Sequence, residues 1–301
     1  MQKNQIIVGL LVTLLALSGV VIYVCGRNAT LPAECKKYDV SFDEGMKLTR
    51  YPARLKEAAN QHVYDIFKQV YEKNHPGTML SQQSTEPKIP KIIHQIWLGS
   101  PFPEKYRAFQ ASWQQHHPDW EYRLWTDKEL AEFPLVHRDL FEASHNYGEK
   151  SDIARYEILY RFGGVYVDTD FESYERLDTI HQAYDFYIGI QPLDTSCVQL
   201  GIGLIGSAPG HPVLRCCLAN LRQNMQQTQQ IIARTGPVYF TRVFAAVAPS
   251  LPAGTVALPA SFVYPMAYEQ TGMGQEVWRC PESLAVHHWE GSWLKKEAFV
   301  K

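Results

Sequence analysis

Two aspartates separated by one threonine end the short apolar run "VYVDTD", at Asp168 and Asp170. If the backbone stays extended there, the side chains of Tyr166, Asp168 and Asp170 point to the same face, because strand side chains alternate. Two carboxylates on one face repel each other unless a cation lies between them, and hard divalent cations prefer oxygen ligands. The spacing therefore predicts a metal site that can neutralise a diphosphate leaving group.

A D-x-D pair alone is more often a solvated turn, so its position in the fold decides the interpretation. The segment 91–99, "KIIHQIWLG", predicts a buried strand, and the segment 120–125, "WEYRLW", predicts a second one. Between them, "PEKYRAFQASWQQHH" (103–117) has the pattern of a helix. Alternating strands and helices predict an α/β fold with a mainly parallel central sheet, and ligands bind such sheets at the carboxyl ends of the strands.

Two helix-capping signals surround the aspartates. Thr126 and Glu129 in "TDKEL" predict a capping box, in which each side chain binds the other residue's backbone. Ser151 is the predicted N-cap of "SDIARYEILYRF", and the glycine pair that follows predicts a left-handed end to that helix. His94, in the first strand, is interpreted as a hydrogen-bonded core residue.

A second group of polar residues lies near the C-terminus, in "AVHHWEGSWLKK" (285–296). Two carboxylates leave a six-coordinate ion underfilled even when a diphosphate is bound, so a third protein ligand is expected. His287, His288 and Glu290 are the candidates in this group. A packed C-terminal tail is the alternative interpretation.

The N-terminus predicts a membrane anchor. The segment Ile6–Cys25 has 20 residues without a charge, which is about the length that crosses a ~30 Å hydrocarbon layer. We expect an anchor at 1–27, a stem helix and linker at 28–87, and a catalytic domain at 88–301. A cleaved signal peptide is the alternative to the anchor.

Charge and composition exclude one class of partner. The chain has 301 residues, a formal net charge of -2 and 46% hydrophobic residues, so it can bury a large core. Binding to nucleic acid would call for a clustered basic surface, and none is visible in the sequence. The Lys/Arg distribution weakly favours a cytosolic catalytic domain, whereas a Golgi enzyme would face the lumen.

The segment 151–172, "SDIARYEILYRFGGVYVDTDFE", resembles the D-x-D region of glycosyltransferase family 32, which includes α-1,6-mannosyltransferases and inositol-phosphorylceramide mannosyltransferases. It is also similar to the catalytic domain of the large clostridial glucosylating toxins. "IPKIIHQIWLG" and "HPDWEYRLWTD" resemble two upstream blocks of the family, so the likeness covers roughly residues 88–172. The resemblance implies a GT-A-type fold, a nucleotide-diphosphate sugar donor (GDP-mannose or a UDP-hexose) and Mn²⁺, with Mg²⁺ as the alternative ion.

The resemblance also implies roles for single residues. Asp168 would approach the donor ribose and the metal, and Asp170 would bind the metal directly. His288 is favoured as the third ligand because "HWEG" resembles an H-x-x-G form found in glycogenin-like enzymes, with His287 and Glu290 as alternates. The expected donor-binding side chains are those of Trp97, Asp152, Arg155, Tyr166, Asp168 and Trp293, and the expected catalytic ones those of Asp152, Arg155, Asp168 and Asp170.

Several of these residues have plainer interpretations. Asp152 and Arg155 lie one helical turn apart and suit a surface ion pair, whereas Trp97 and Tyr166 suit aromatic core positions. "TGPVYFT" (235–241) resembles an acceptor-side element of the family, or is a structural turn.

The resemblance implies a metal-dependent retaining glycosyltransferase, which transfers a hexose, with mannose favoured, to a hydroxyl of a glycan, glycolipid or protein. Two alternatives remain: a metal-dependent hydrolase of nucleotide sugars, and a sugar-binding membrane protein without catalysis. The expected location is a Golgi or other secretory-pathway membrane in a eukaryote, or the inner membrane in a bacterium.

Overall fold

A computed structural model describes residues 37–46, 57–75, 88–193 and 197–291. The α-helices are α1 Phe42–Gly45, α2 Ala58–Asn74, α3 Arg107–His116, α4 Asp127–Glu132, α5 Arg138–Ala143, α6 Tyr147–Phe162, α7 Asp178–Ala183, α8 Pro212–Gln227, α9 Ile231–Arg234, α10 Pro237–Val247 and α11 Ala260–Val263. The strands are β1 Ile92–Ile96, β2 Glu121–Trp125, β3 Gly164–Val167, β4 Phe171–Ser173, β5 Phe186–Ile190, β6 Leu200–Ser207, β7 Thr255–Leu258 and β8 Ala285–His287.

The main sheet has six strands in the order β2-β1-β3-β6-β5-β7. Strand β1 runs parallel to both β2 and β3, and β5 runs parallel to β7. Strand β6 is antiparallel to both of its neighbours. The predicted α/β fold with a mainly parallel sheet is confirmed, and the carboxyl ends of β1, β3 and β5 meet the amino end of β6 at one edge.

Strands β4 and β8 form a separate antiparallel pair. Strand β4 begins directly after the D-x-D segment, and β8 is the strand of the predicted second polar group. Their pairing places Phe171 opposite His287. This small sheet therefore brings the C-terminal part of the domain to the aspartates across more than a hundred residues of chain.

One capping prediction is confirmed and one is wrong. The side chain of Thr126 accepts a hydrogen bond from Lys128 N at 3.3 Å, and Thr126 N donates to Glu129 Oε2 at 3.0 Å, which completes the capping box. Ser151 is not the N-cap of helix α6, because Asn146, five residues earlier, caps it by accepting from Glu149 N at 3.1 Å. Gly163 ends α6 with a φ of 64°, a left-handed value that favours glycine, as predicted.

The helix of the predicted stem, α2, packs onto the sheet. Phe67 meets Phe244 with ring centroids 5.9 Å apart, and Gly254 N donates to Asn74 Oδ1 at 3.1 Å. Phe67 belongs to the same buried cluster as the strands after residue 88. The division of the chain at residues 27 and 87 remains a prediction.

The predicted anchor at 1–27 lies outside the described residues. Among the helices of the described ranges, none combines the length and the apolar character needed to cross a bilayer.

Three buried histidines are held neutral by the core. His94 Nε2 lies 3.0 Å from the carbonyl oxygen of Gly163, and its Nδ1 accepts from Trp125 Nε1 at 3.1 Å, which confirms its interpretation as a hydrogen-bonded core residue. Burial lowers the pKa of His94 to about 4, the pKa of His117 to about 4 and the pKa of His181 to about 3. All three resist protonation in the folded protein because the charged form loses hydration there.

These pKa shifts predict acid sensitivity. Below pH 6.5 these histidines bind protons in the unfolded chain but stay neutral in the folded chain. The free energy of unfolding is therefore highest above that pH and falls as the pH drops towards 4. For His94 alone, we expect a loss of about 2 kcal/mol between pH 7 and pH 5. Urea unfolding at both pH values measures it, and His94→Gln, which does not titrate, should lose correspondingly less. An equal pH dependence in the variant would contradict the prediction.

Candidate active site

The aspartate pair lies in a turn at the end of β3. Asp168 N donates to Gly203 O at 2.7 Å, and Phe171 N donates to Asp168 O at 3.1 Å, so the chain turns over residues 168–171. The extended backbone ends at Val167. The predicted same-face alternation is therefore wrong beyond Val167, and it is the turn, followed by β4, that brings the two carboxylates together.

Glycines of β6 make room for this turn. A Cβ atom at Gly203 would lie 2.6 Å from Asp168 Oδ2, and one at Gly201 would lie 2.1 Å from the Tyr264 ring. The hydroxyl of Tyr264 accepts from Gly203 N at 3.1 Å. Glycine is therefore required for steric reasons at Gly201 and Gly203 of "QLGIGLIG", because a larger side chain would displace Asp168 or Tyr264.

Arg155 connects the parts of the site. Its Nη1 lies 3.2 Å from Asp168 Oδ1 and its Nη2 lies 3.2 Å from Asp152 Oδ1. Nη1 also donates to Ile202 O at 2.8 Å, and the guanidinium carbon lies 4.3 Å from the centre of the Tyr166 ring. Asp152 and Arg155 are each 5% exposed. They form a buried ion pair at the D-x-D turn, so the surface-pair interpretation is wrong.

Hydroxyl groups orient both acidic partners of Arg155. Thr235 Oγ1 donates to Asp152 Oδ2 at 2.8 Å, and the hydroxyl of Tyr166 donates to Asp168 Oδ1 at 2.6 Å. Burial raises the pKa of Asp152 to about 7, although Arg155 and Thr235 oppose the shift. Burial also raises the pKa of Tyr166 well above its ordinary value, which keeps its hydroxyl protonated as a donor.

Thr235 was not predicted as a partner of Asp152. The signal in the sequence is the "TGP" turn: Tyr156 OH donates to Thr235 O at 2.7 Å, and α10 begins at Pro237. Gly236 and Pro237 line the same cavity as Asp152. A turn does precede the helix, and the threonine at its start reaches the site.

The third side chain at the aspartates is His287, not His288. His287 Nε2 lies 3.2 Å from Asp170 Oδ1, and potential ligand atoms of Asp168, Asp170 and His287 all lie within 4.8 Å of one another. His288 Nε2 lies 3.0 Å from Glu172 Oε2, and its ring stacks on Phe109 at 4.3 Å. Strand β8 ends at His287, and the ring of the next residue, His288, turns to Glu172 and Phe109 instead of the aspartates.

Glu290, the other alternate ligand, contacts the aspartate pair through its backbone N–H and not through its carboxylate. Its N–H donates to Asp170 Oδ2 at 2.9 Å, while its carboxylate pairs with Lys105. Trp293 and Ser292 lie outside the described residues, so the donor-binding role of Trp293 remains a prediction.

The chemistry of this cluster suits a divalent metal ion. Burial opposes ionisation of Asp170, but the neighbouring His287 holds the pKa of Asp170 below its ordinary value. Burial likewise opposes a charge on His287, yet Asp170 raises the pKa of His287. His287 Nδ1 is buried and has no hydrogen-bond partner among the described residues. Two carboxylates and an imidazole with a spare nitrogen form a donor set that accommodates such an ion.

A cavity of about 680 Å³ opens over these residues. Trp97, at the end of β1, is half-buried in its wall and donates from Nε1 to Ser100 Oγ at 3.0 Å. Asp152, Arg155 and Tyr166 line it as well. The structure thus brings together at one cavity all the predicted site residues that it describes, except His288 and the alternate ligand Glu290.

A mainly parallel α/β sheet with an acidic turn and a large cavity at the carboxyl ends of its strands is an architecture typical of enzymes that bind nucleotide derivatives. Residues 103–187 match the sequence model of the family described as "Glycosyltransferase sugar-binding region containing DXD motif". The predicted resemblance to glycosyltransferase family 32 is confirmed for this part of the chain.

Several curated proteins are similar to about half of this chain. Inositol phosphoceramide mannosyltransferase 2 of Schizosaccharomyces pombe is 34% identical over 167 residues, covering 53% of this chain and 47% of the relative. Mannosyl phosphorylinositol ceramide synthase SUR1 of Saccharomyces cerevisiae is 31% identical over 164 residues, covering 52% and 42%. The chain thus matches about half the length of these curated relatives.

Among solved structures, one titled "PaToxG Glycosyltransferase" superposes with a TM-score of 0.47 at 20% identity. The superposition covers 64% of this chain and 80% of that one.

Proposed function

We propose that this protein is a metal-dependent, retaining glycosyltransferase of GT-A-type fold. It transfers a hexose from a nucleotide-diphosphate sugar to a hydroxyl of a glycolipid. The observation that carries the proposal is the cluster of Asp168, Asp170 and His287 beside the buried Arg155 at the cavity. The names of the relatives support mannose as the sugar, hence GDP-mannose ahead of a UDP-hexose, and a phosphoinositol ceramide as the acceptor class.

The residues that line the cavity bind different parts of the donor in this proposal. Asp168, Asp170 and His287 hold the divalent ion, for which a set containing imidazole suits Mn²⁺ better than Mg²⁺. When bound, the ion supplies positive charge to the diphosphate of the donor. Trp97, with its half-exposed ring in the wall, stacks on the donor base. Arg155 and Asp152 bind hydroxyl groups of the hexose, with Arg155 donating and Asp152 accepting.

The transfer exchanges one bond at the anomeric carbon for another. The acceptor oxygen forms the new bond to this carbon on the face that the diphosphate leaves, and the leaving oxygen keeps the electron pair. The acceptor proton passes to an oxygen of the departing diphosphate, so no protein nucleophile is required. The protein contributes position and a fixed electrostatic environment, in which Tyr166 and Arg155 keep Asp168 oriented.

A donor screen tests the proposal. The full chain is incubated with Mn²⁺ and with GDP-mannose, UDP-glucose, UDP-galactose or UDP-N-acetylglucosamine, with and without inositol phosphoceramide in detergent micelles. We expect nucleotide release that rises on addition of acceptor and stops on chelation of the metal. Release that never depends on an acceptor would identify a hydrolase instead. If no nucleotide sugar binds in the presence of metal, the proposal fails.

The two adjacent histidines provide a matched pair of variants. We expect His287→Ala to weaken Mn²⁺ binding by about 10-fold to 100-fold, because one ligand of three is removed. His288→Ala should leave the affinity within a factor of two, since its partners are Glu172 and Phe109. Titration of Mn²⁺ into each variant, followed by electron paramagnetic resonance of the free ion, measures both. Equal losses would remove His287 from its proposed role.

We also propose that residues 6–25 anchor the enzyme in a membrane, as the apolar sequence predicts. The proposal suits an acceptor that itself lies in the bilayer. In cells, the full chain should stay in the membrane fraction after an alkaline carbonate wash. Its release into the supernatant would contradict the anchor.

A further inference from the structure

Two glutamine side chains stand where β5 and β6 extend past the metal-binding cluster. Gln191 directly follows β5, and Gln199 directly precedes β6. Gly203 of β6 is the residue beside Asp168, and Gln199 precedes it by four residues, or ~13 Å of extended strand. Both glutamines line the cavity. They therefore lie beyond the acidic turn, and across β3 and β6 from Trp97.

Both side chains line the cavity wall that carries the reacting groups. Gln199 directly precedes β6, whose pairing with β5 is irregular between Gly201 and Ile205, so the contacts of the glycines rather than strict alternation identify the face. That face is occupied by the Tyr264 ring over Gly201 and by Asp168 over Gly203. Gly189, two residues before Gln191, also meets Tyr264. The amide groups are thus on the face of the reacting groups.

The two amides hold each other in place. Gln199 Nε2 donates to Gln191 Oε1 at 2.7 Å, and Gln191 N donates to Gln199 O at 3.0 Å. Cys197 Sγ lies 3.6 Å from Gln199 Oε1, a weak contact. The Nε2 group of Gln191 has no hydrogen bond within the described part of the chain, although Gln191 is only 8% exposed. The side-chain N–H₂ of Gln191 is thus an oriented donor in a largely buried part of the cavity wall, where it can bind a ligand.

The surroundings select the chemical class of that ligand. Paired amides offer both donors and acceptors without a charge, and a hydroxyl group can satisfy either. The ring of Tyr264 lies beside them in the cavity, which suits the apolar faces of a sugar or cyclitol ring. Phosphate recognition would call for arginine, lysine or a helix N-terminus.

We infer that Gln191 and Gln199 form the acceptor subsite, in which they bind hydroxyl groups of a polyol ring and leave a neighbouring hydroxyl free to receive the hexose. The inference rests on the proposed function, since it assumes that the donor occupies the cavity between Trp97 and the acidic turn. The inference makes its own claims: neutral polyols bind beside Tyr264, and removal of both amides weakens the binding of the acceptor without changing the binding of the donor.

The test uses Gln191→Met together with Gln199→Met, because methionine keeps the shape of glutamine and removes its hydrogen bonds. Gln115→Met, at an exposed position of α3, is the control. Methyl α-mannoside, methyl α-galactoside and myo-inositol serve as probes in saturation-transfer NMR on the full chain, with Mn²⁺ and GDP present. Thermal unfolding verifies that all variants are folded.

We expect the wild type and the control to bind at least one polyol, and the double variant to bind it at least tenfold more weakly. Hydrolysis of the donor without acceptor should stay within a factor of two. A wild type that binds none of the three polyols, or a double variant whose donor KM rises instead, overturns the inference. Failure of the proposed function has another signature, because then no nucleotide sugar binds to any variant, whereas polyol binding is still measurable.

Discussion

We expect Asp170→Asn to lower the rate of the proposed hexose transfer by about 10³-fold or more at saturating donor, the largest effect of any single substitution proposed for this site. Asp170 is 8% exposed and accepts from Glu290 N at 2.9 Å, so the amide fits the space but cannot supply the negative charge. Nucleotide release with acceptor present, measured over a range of Mn²⁺ concentrations, gives the effect.

A matched control separates this loss from a general effect of removing a carboxylate. Asp139→Asn breaks the surface pair of Asp139 with Arg222 and should leave the rate within a factor of two. Donor binding should persist in part in Asp170→Asn, because Trp97 and Arg155 are untouched. If Asp170→Asn retains more than about a tenth of the wild-type rate, the D-x-D turn does not hold a catalytic metal.

Arg155→Met has the second large effect, on both stability and activity. The change leaves Asp152 and Asp168 without the positive charge 3.2 Å from each, and it leaves Ile202 O without its donor. Breaking a buried ion pair by removing one partner costs roughly 3–5 kcal/mol, because an uncompensated charge stays behind. Urea unfolding measures the free energy of unfolding, and the transfer rate should fall by about 10²-fold or more.

Two further variants establish the cause. Arg222→Met removes an exposed arginine of the same type, and its cost should stay below about 1 kcal/mol. Adding Asp152→Asn to Arg155→Met should restore part of the lost stability, since the amide carries no charge to bury. A double variant that is no more stable than Arg155→Met would show that packing over Tyr166, rather than charge, makes Arg155 necessary.

Local patterns in the sequence were sufficient for much of the fold. The strand Ile92–Ile96, the helix after it and the strand Glu121–Trp125 lie where their apolar periodicity predicts them. The Thr126 capping box and the glycine at 163 are equally local signals. The N-cap prediction at Ser151 is wrong because Asn146, an equally good capping residue, lies upstream. The hydroxyl of Ser151 forms hydrogen bonds with Arg155 and Tyr166 instead.

Two features of the site are local in the chain and could be predicted from its residues: the acidic pair after a buried strand, and the acid and arginine one helical turn apart before that strand. The three-dimensional fold was needed to show that His287 faces Asp170, because the choice between adjacent histidines depends on the register of β8 against β4. It also decided that Thr235 reaches Asp152 and that the two glutamines pair. Such contacts join segments that are distant in the chain. The strand register that brings these segments together cannot be predicted from the local periodicity of the sequence.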